Sequence, residues 1–159
     1  MIAVSDSSPL INLAKVNKLS LIREFFDMVF IPDAVYDEVV IQGADQSGAV
    51  EIDTAEWIKT KTIKNLGLKN FLRIFLDVGE SEAIVLAEEI KPEVILIDDL
   101  AARIVAKGQG MKVMGTLGIL ERAYKTGRID DLRNVVDDLR SKGFWMSEKL
   151  YDELIKESQ

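Results

Sequence analysis

Glu93-Val94-Ile95-Leu96-Ile97-Asp98-Asp99-Leu100-Ala101-Ala102-Arg103 is the stretch whose reading decides the fold. Residues 94–97 form a short, wholly apolar, mostly β-branched run. That pattern predicts a strand covered on both faces, as in a parallel sheet. The run ends in two adjacent acids, and an Ala-rich, helix-forming stretch follows at once. Two carboxylates therefore stand at the carboxyl end of a buried strand, where open α/β sheets keep their ligand sites. Asp99 has a second reading here, as the N-cap of the following helix.

Working outward, the same grammar repeats. Residues 2–5 read as a first buried strand ending in Asp6, with Pro9 in the first turn of a helix and Ser8 as its cap. A short helix over 18–26 precedes a second strand at 28–31, which Pro32 stops. A helix over 32–41 then carries Asp33, Asp37 and Glu38. Residues 57–63 alternate apolar and polar, the mark of a half-exposed edge strand, and two lysines there discourage edge pairing.

Leu68, Phe71, Leu72, Phe75 and Leu76 recur at helical spacing within 65–77. Gly79 reads as a break, and a helix from Glu80 runs to Ile90. Glu80 suits the helix dipole. Glu82 falls on or beside the face suited to packing on the sheet, where a carboxylate needs a partner or a metal. A last strand at 111–114 leads to Gly115-Thr116-Leu117-Gly118, which puts Thr116 at a strand-to-helix edge. Helices over 117–125, 130–141 and 148–157 finish the chain. The alternation predicts parallel strands with right-handed crossovers: a three-layer α/β/α domain over 1–159, with 130–159 as a C-terminal helical extension.

Composition narrows the chemistry. Apolar residues make up 48% and charged residues 30% of the 159, so the chain is globular. No apolar run reaches the ~20 residues of a membrane span. The opening Met-Ile-Ala-Val-Ser-Asp reads as a strand and not as a leader, so a cytoplasmic location is expected. With no cysteine and no histidine, thiol catalysis, Ser-His-Asp triads and His or Cys metal ligands are excluded. Carboxylates, hydroxyls, Lys and Arg remain. Carboxylates alone favour hard cations such as Mg²⁺ or Mn²⁺. The net charge of −7 argues against a protein that coats duplexes.

The acids then converge in the expected topology. Asp6, Asp98 and Asp99 end interior strands, while Glu38 and Glu82 stand near the amino ends of helices that follow strands. In a parallel sheet these positions share one edge. Carboxylates gathered there repel unless protonated or bridged by cations. Such a cluster suits a metal-dependent phosphodiesterase, with a metal-activated water as nucleophile. Ser8 or Thr116 supplies a supporting hydroxyl. Lys15, Arg103 and Lys107 are candidate contacts for a phosphodiester substrate, with ordinary surface charge as the competing reading.

The ordered set resembles the PIN-domain nucleases, the fold of many prokaryotic toxin subunits. The resemblance runs from residue 1 to about 125. It rests on Asp6 in Val-Ser-Asp-Ser-Ser-Pro-Leu-Ile, Glu38 in Ile-Pro-Asp-Ala-Val-Tyr-Asp-Glu-Val, Glu82 in Gly-Glu-Ser-Glu-Ala-Ile, Asp99 in Ile-Leu-Ile-Asp-Asp, and the Gly-Thr-Leu-Gly segment at 115–118. It implies metal-dependent hydrolysis of single-stranded RNA. Asp6, Glu38, Glu82 and Asp99 match the metal-site acids, with Asp98 as a further neighbour. Glu82 stands where many relatives carry Asp. The resemblance also implies a homodimer and a small antitoxin protein as partner. A PIN-like scaffold that binds RNA or a protein without cutting is the competing expectation. A phospho-acceptor receiver ranks last, because its paired acids belong on an early strand.

Overall fold

The computed structural model describes residues 1–158. Five short strands build one sheet: β1 (Ile2–Ser5), β2 (Met28–Pro32), β3 (Ile58–Lys61), β4 (Val94–Leu96) and β5 (Val113–Met114). Their order is β3-β2-β1-β4-β5, and every pair is parallel. All strands therefore end on one edge. The chain leaves β1 and β4 in opposite directions across the sheet, so the crevice between these two strands is a topological switch point. The backbone N–H of Asp6 donates to the Leu96 carbonyl at 2.9 Å and closes β1 onto β4 just at that edge.

Alternation along the strands divides the core into two layers. Ala3, Val29, Ile31 and Leu96 face α1 (Ser7–Lys15), α2 (Leu21–Phe25) and α8 (Thr116–Lys125). Val4, Ile95 and Ile97 face α5 (Leu66–Leu72), α6 (Val78–Ile90) and α7 (Leu100–Gly108). The result is the three-layer α/β/α arrangement with a central parallel sheet. Leu132, Val136 and Leu139 of α9 (Leu132–Ser141) and Leu154 of α10 (Glu148–Glu157) belong to the first of these layers. The C-terminal helices thus share the core built by β1 and α1.

Several local readings change. Helix α1 starts at Ser7 with Asp6 in the N-cap position, not at a Ser8 cap. The predicted helix over 32–41 is a single α turn, α3 (Asp33–Tyr36), that widens into a π-helical turn, Asp37–Gln42. Gly43 closes that turn because a Cβ there would lie 2.7 Å from the Val39 carbonyl oxygen. A short helix, α4 (Ala49–Thr54), follows with no clear signal in the sequence.

The predicted helix over 65–77 stops at Leu72. Asp77 instead caps the next helix with a reciprocal box: its side chain accepts the Glu80 N–H at 2.8 Å, and Glu80 Oε2 accepts the Asp77 N–H at 3.1 Å. Gly79 therefore does not break the chain. It lies inside the first turn of α6.

Candidate active site

Local chemistry explains why Asp6 is where it is. Val4 and Ser5 are fully buried in the sheet, and Asp6 is carried one residue past them, still only 4% exposed. It sits between the end of β1 and the first turns of α1 and α6. Burial pushes its carboxyl up to about 8; an N–H from Ser7 opposes this, and the charges of Asp77, Glu80 and Glu38 raise it further. Burial also raises Glu80, opposed by the Asp77 N–H and reinforced by Asp77, Asp99 and Glu38. Carboxylates from β1, the π turn, α6 and the end of β4 therefore share one electrostatic neighbourhood.

Gly79 shows how tightly they gather. The place its Cβ would occupy is 2.9 Å from Glu38 Oε2, 3.2 Å from Asp6 Oδ1 and 3.7 Å from Asp77 Oδ1. Only the absence of a side chain lets these oxygens surround one point. Ser7 Oγ donates to Glu38 Oε2 at 2.8 Å and fixes that carboxylate. The supporting hydroxyl at Glu38 is thus Ser7; Ser8, one residue and about 100° further around α1, is exposed.

The remaining sequence-derived acids have other partners. Glu82 is 6% exposed. Its Oε1 accepts the Ala34 N–H at 3.1 Å and its Oε2 pairs with Lys69 Nζ at 2.6 Å. The expected need for a partner or a metal is met here by a lysine and a helix N-terminus. Asp98 Oδ1 accepts the Thr116 N–H at 2.6 Å, while its Oδ2 accepts Thr116 Oγ1 at 2.6 Å and Asn12 Nδ2 at 3.0 Å. Thr116 is therefore joined to the acid edge, though through Asp98. Asp99 is exposed and caps α7, its Oδ2 accepting the Ala102 N–H at 3.0 Å.

So the structure brings Asp6 and Glu38 together beside Asp77 and Glu80, and Asp99 is linked to the group through its charge on Glu80. It directs Glu82 and Asp98 into protein hydrogen bonds. Among the described residues, no group of three or more carboxylates stands close enough to hold a metal ion as it is. Arg103 lies in the first turn of α7 and donates to the Ile97 carbonyl at 3.3 Å. Lys15 and Lys107 lie in the last turns of α1 and α7, away from this edge.

Sequence reasoning missed Ser7, Asp77 and Gly79. A signal existed: Asp77-Val78-Gly79-Glu80 has capping-box spacing, which starts the helix at Val78 and puts Gly79 on it.

The acids stand at the switch point of a parallel α/β/α sheet, where open sheets keep their ligand sites. The chain belongs to the PIN-domain family: a family model for that domain, DUF3368, matches residues 2–159. It is also similar in fold to a solved PilT N-terminus domain protein from the hyperthermophilic archaeon Sulfolobus solfataricus, with a TM-score of 0.53 and 17% identity over 77% of this chain and 93% of that one. No curated protein matches the chain. PIN domains are generally nucleases that work with divalent metal ions. The residues here fit such an ion in donor chemistry, since every available ligand is a hard oxygen. The Glu38 and Asp6 carboxylates, which the missing side chain of Gly79 lets approach the first turn of α6, are the cradle they offer. Among the described residues, no helix is long and apolar enough to cross a membrane.

Proposed function

We propose that this protein is a Mg²⁺- or Mn²⁺-dependent endoribonuclease acting on single-stranded RNA. The observation that carries the reading is the pair of oxygens, Asp6 Oδ1 and Glu38 Oε2, that face one point across Gly79 at a sheet switch point. In this reading Asp6 and Glu38 hold the cation, and Asp99 at the same edge adds a third carboxylate. A divalent cation bound there supplies an activated water and charge stabilisation on the phosphate oxygens.

The chain's own residues prepare that site. Ser7 Oγ occupies Glu38 Oε2 and so orients the carboxylate toward Asp6. Burial keeps bulk water from Asp6, which strengthens its attraction for a cation. Glu82 and Asp98 are positioning residues: Glu82 anchors the start of α3, whose continuation bears Glu38, and Asp98 anchors the start of α8. A toxin role, with a homodimer and a small antitoxin as partner, belongs to the same reading.

A second reading has its own observation. Lys69 already neutralises Glu82, which favours a PIN-like scaffold that binds RNA or a protein partner without cutting. Cleavage of a labelled single-stranded RNA with Mn²⁺, with Mg²⁺ and with chelator separates the two, with Asp6→Asn beside the parent. Metal-dependent cutting lost in Asp6→Asn is the expected result. Intact RNA with both proteins, under conditions where the parent binds it, supports the scaffold instead.

A further inference from the structure

Between Glu56 and Asp77 the chain runs for twenty residues without one acid. The same stretch holds five cations, Lys59, Lys61, Lys64, Lys69 and Arg73, in a protein whose net charge is −7. Among the described residues, only Lys69 of the five makes an ion pair. Random scatter of charge in so acidic a chain would intersperse carboxylates. Two carboxylates reach the stretch from α6, Glu82 at Lys69 and Glu89 at the Lys64 N–H, and against these two the five cations still leave a local positive excess on a negative protein, a match for a polyanion.

The strip also carries aromatic surface. Phe71 is 57% and Phe75 62% exposed. Their rings meet edge to face with centroids 5.7 Å apart. Two phenylalanines in solvent forgo burial that elsewhere stabilises the fold, and a nucleobase offers each of them a π face to stack on.

Its position relative to the acids follows from the sheet. Val4 pairs with Phe30 and Pro32 with Lys61, so Lys61 stands level with Asp6, two strands away. At normal strand spacing that is about 10 Å. Lys61 Nζ lies 5.2 Å from the centre of the Phe30 ring, whose packing is on the α6 side of the sheet. Phe75 precedes the α6 cap, Asp77, by two residues, and Asp77 Oδ1 is one of the oxygens around Gly79. Lysines, rings and the Asp77 cap thus follow one another along the chain, with Lys61 level with Asp6 on the sheet.

We propose that residues 59–75 form the track for single-stranded RNA, with phosphates on Lys59, Lys61, Lys64 and Arg73, and bases stacked on Phe71 and Phe75. The strand is led from there to the Asp6–Glu38 edge. This inference rests on the nuclease reading above. A second copy docked on the same strip about a two-fold axis would set these cations against their own counterparts, so RNA is the better match.

The test is binding, read separately from cleavage. Fluorescence anisotropy follows a labelled twelve-nucleotide oligo(U) and an abasic strand of equal length, with Mg²⁺ and again with chelator. Phe71→Leu/Phe75→Leu keeps the apolar bulk and removes the rings. It is expected to weaken oligo(U) binding about tenfold or more while leaving abasic binding unchanged. Lys59→Gln/Lys61→Gln is expected to make the slope of log affinity against log salt shallower by about 1.4. Light scattering and a thermal melt on each variant report assembly and folding.

If the parent binds and both variants match it, the strip is overturned and the nuclease reading stands. If the parent binds RNA in neither condition, the nuclease reading falls and takes the strip with it. If the ring variant splits a parental dimer and keeps its RNA affinity, the strip is a protein interface and the proposal is wrong.

Discussion

Lys69 reaches from α5 to Glu82 on α6, Nζ to Oε2 at 2.6 Å, and holds a nearly buried carboxylate thirteen residues away. The other oxygen of Glu82 takes the Ala34 N–H, so one side chain ties α5, α6 and the start of α3 together. Those are the elements that carry Phe71, Gly79 and the approach to Glu38.

Breaking that pair from the lysine side is expected to be costly. Lys69→Met leaves Glu82 charged and poorly solvated. A loss of about 2–3 kcal/mol in urea unfolding is expected, slightly under the value for fully buried pairs because Lys69 is partly exposed. Lys69→Met/Glu82→Gln should recover much of it. A single mutant within about 0.5 kcal/mol of the parent would show that the pair contributes nothing.

Gly79→Ala tests the cradle. Helix propensity favours alanine, and no unusual φ requires glycine here. Yet the new methyl group falls 2.9 Å from Glu38 Oε2 and 3.2 Å from Asp6 Oδ1, so the two carboxylates must part. We expect near-parental circular dichroism with at least a ~10-fold drop in metal-dependent cleavage, a change of roughly 1.4 kcal/mol in the barrier. Unchanged cleavage rates would place the reacting centre elsewhere.

The Asp6 carboxyl links stability to pH. Its folded value, about 8, lies above the ordinary 3.8, so the folded protein binds a proton that the unfolded chain releases. The stability this contributes is complete below about pH 4 and is lost as pH rises toward 8. Asp6→Asn removes the charge. In metal-free buffer at pH 8 its melting temperature should exceed the parent's by roughly 2–5 °C, and the gap should shrink by pH 5. A gap that is constant across this range would contradict the link.

Asp98→Ala removes the acceptor for the Thr116 N–H and hydroxyl and for Asn12 Nδ2. Thr116 is fully buried, so its donors lose their partner without gaining water. A cost of about 2 kcal/mol is expected, with faster amide exchange in the first turn of α8 as the local readout. Exchange that stays at parental rates would assign Asp98 no structural task.

The sequence by itself determined the framework. Short β-branched runs, two of them ending in acids, alternate with helical patterns and so specify parallel strands. Parallel strands bring their carboxyl ends to one edge, which puts Asp6, Asp98 and Asp99 there before any side chain is placed. Even the acid-free run from Lys59 to Phe75 was legible as composition. Tertiary structure alone decided what each acid does. Glu82 and Asp98 look as available as Asp6 along the chain, but Lys69, Ala34, Thr116 and Asn12 reach them only after crossovers bring distant segments together. Gly79 reads locally as a breaker, and becomes a spacer only because Glu38 and Asp6 arrive opposite it. Backbone periodicity is a local property, whereas a hydrogen-bond partner or an exposed ring depends on which non-local neighbour fills the space.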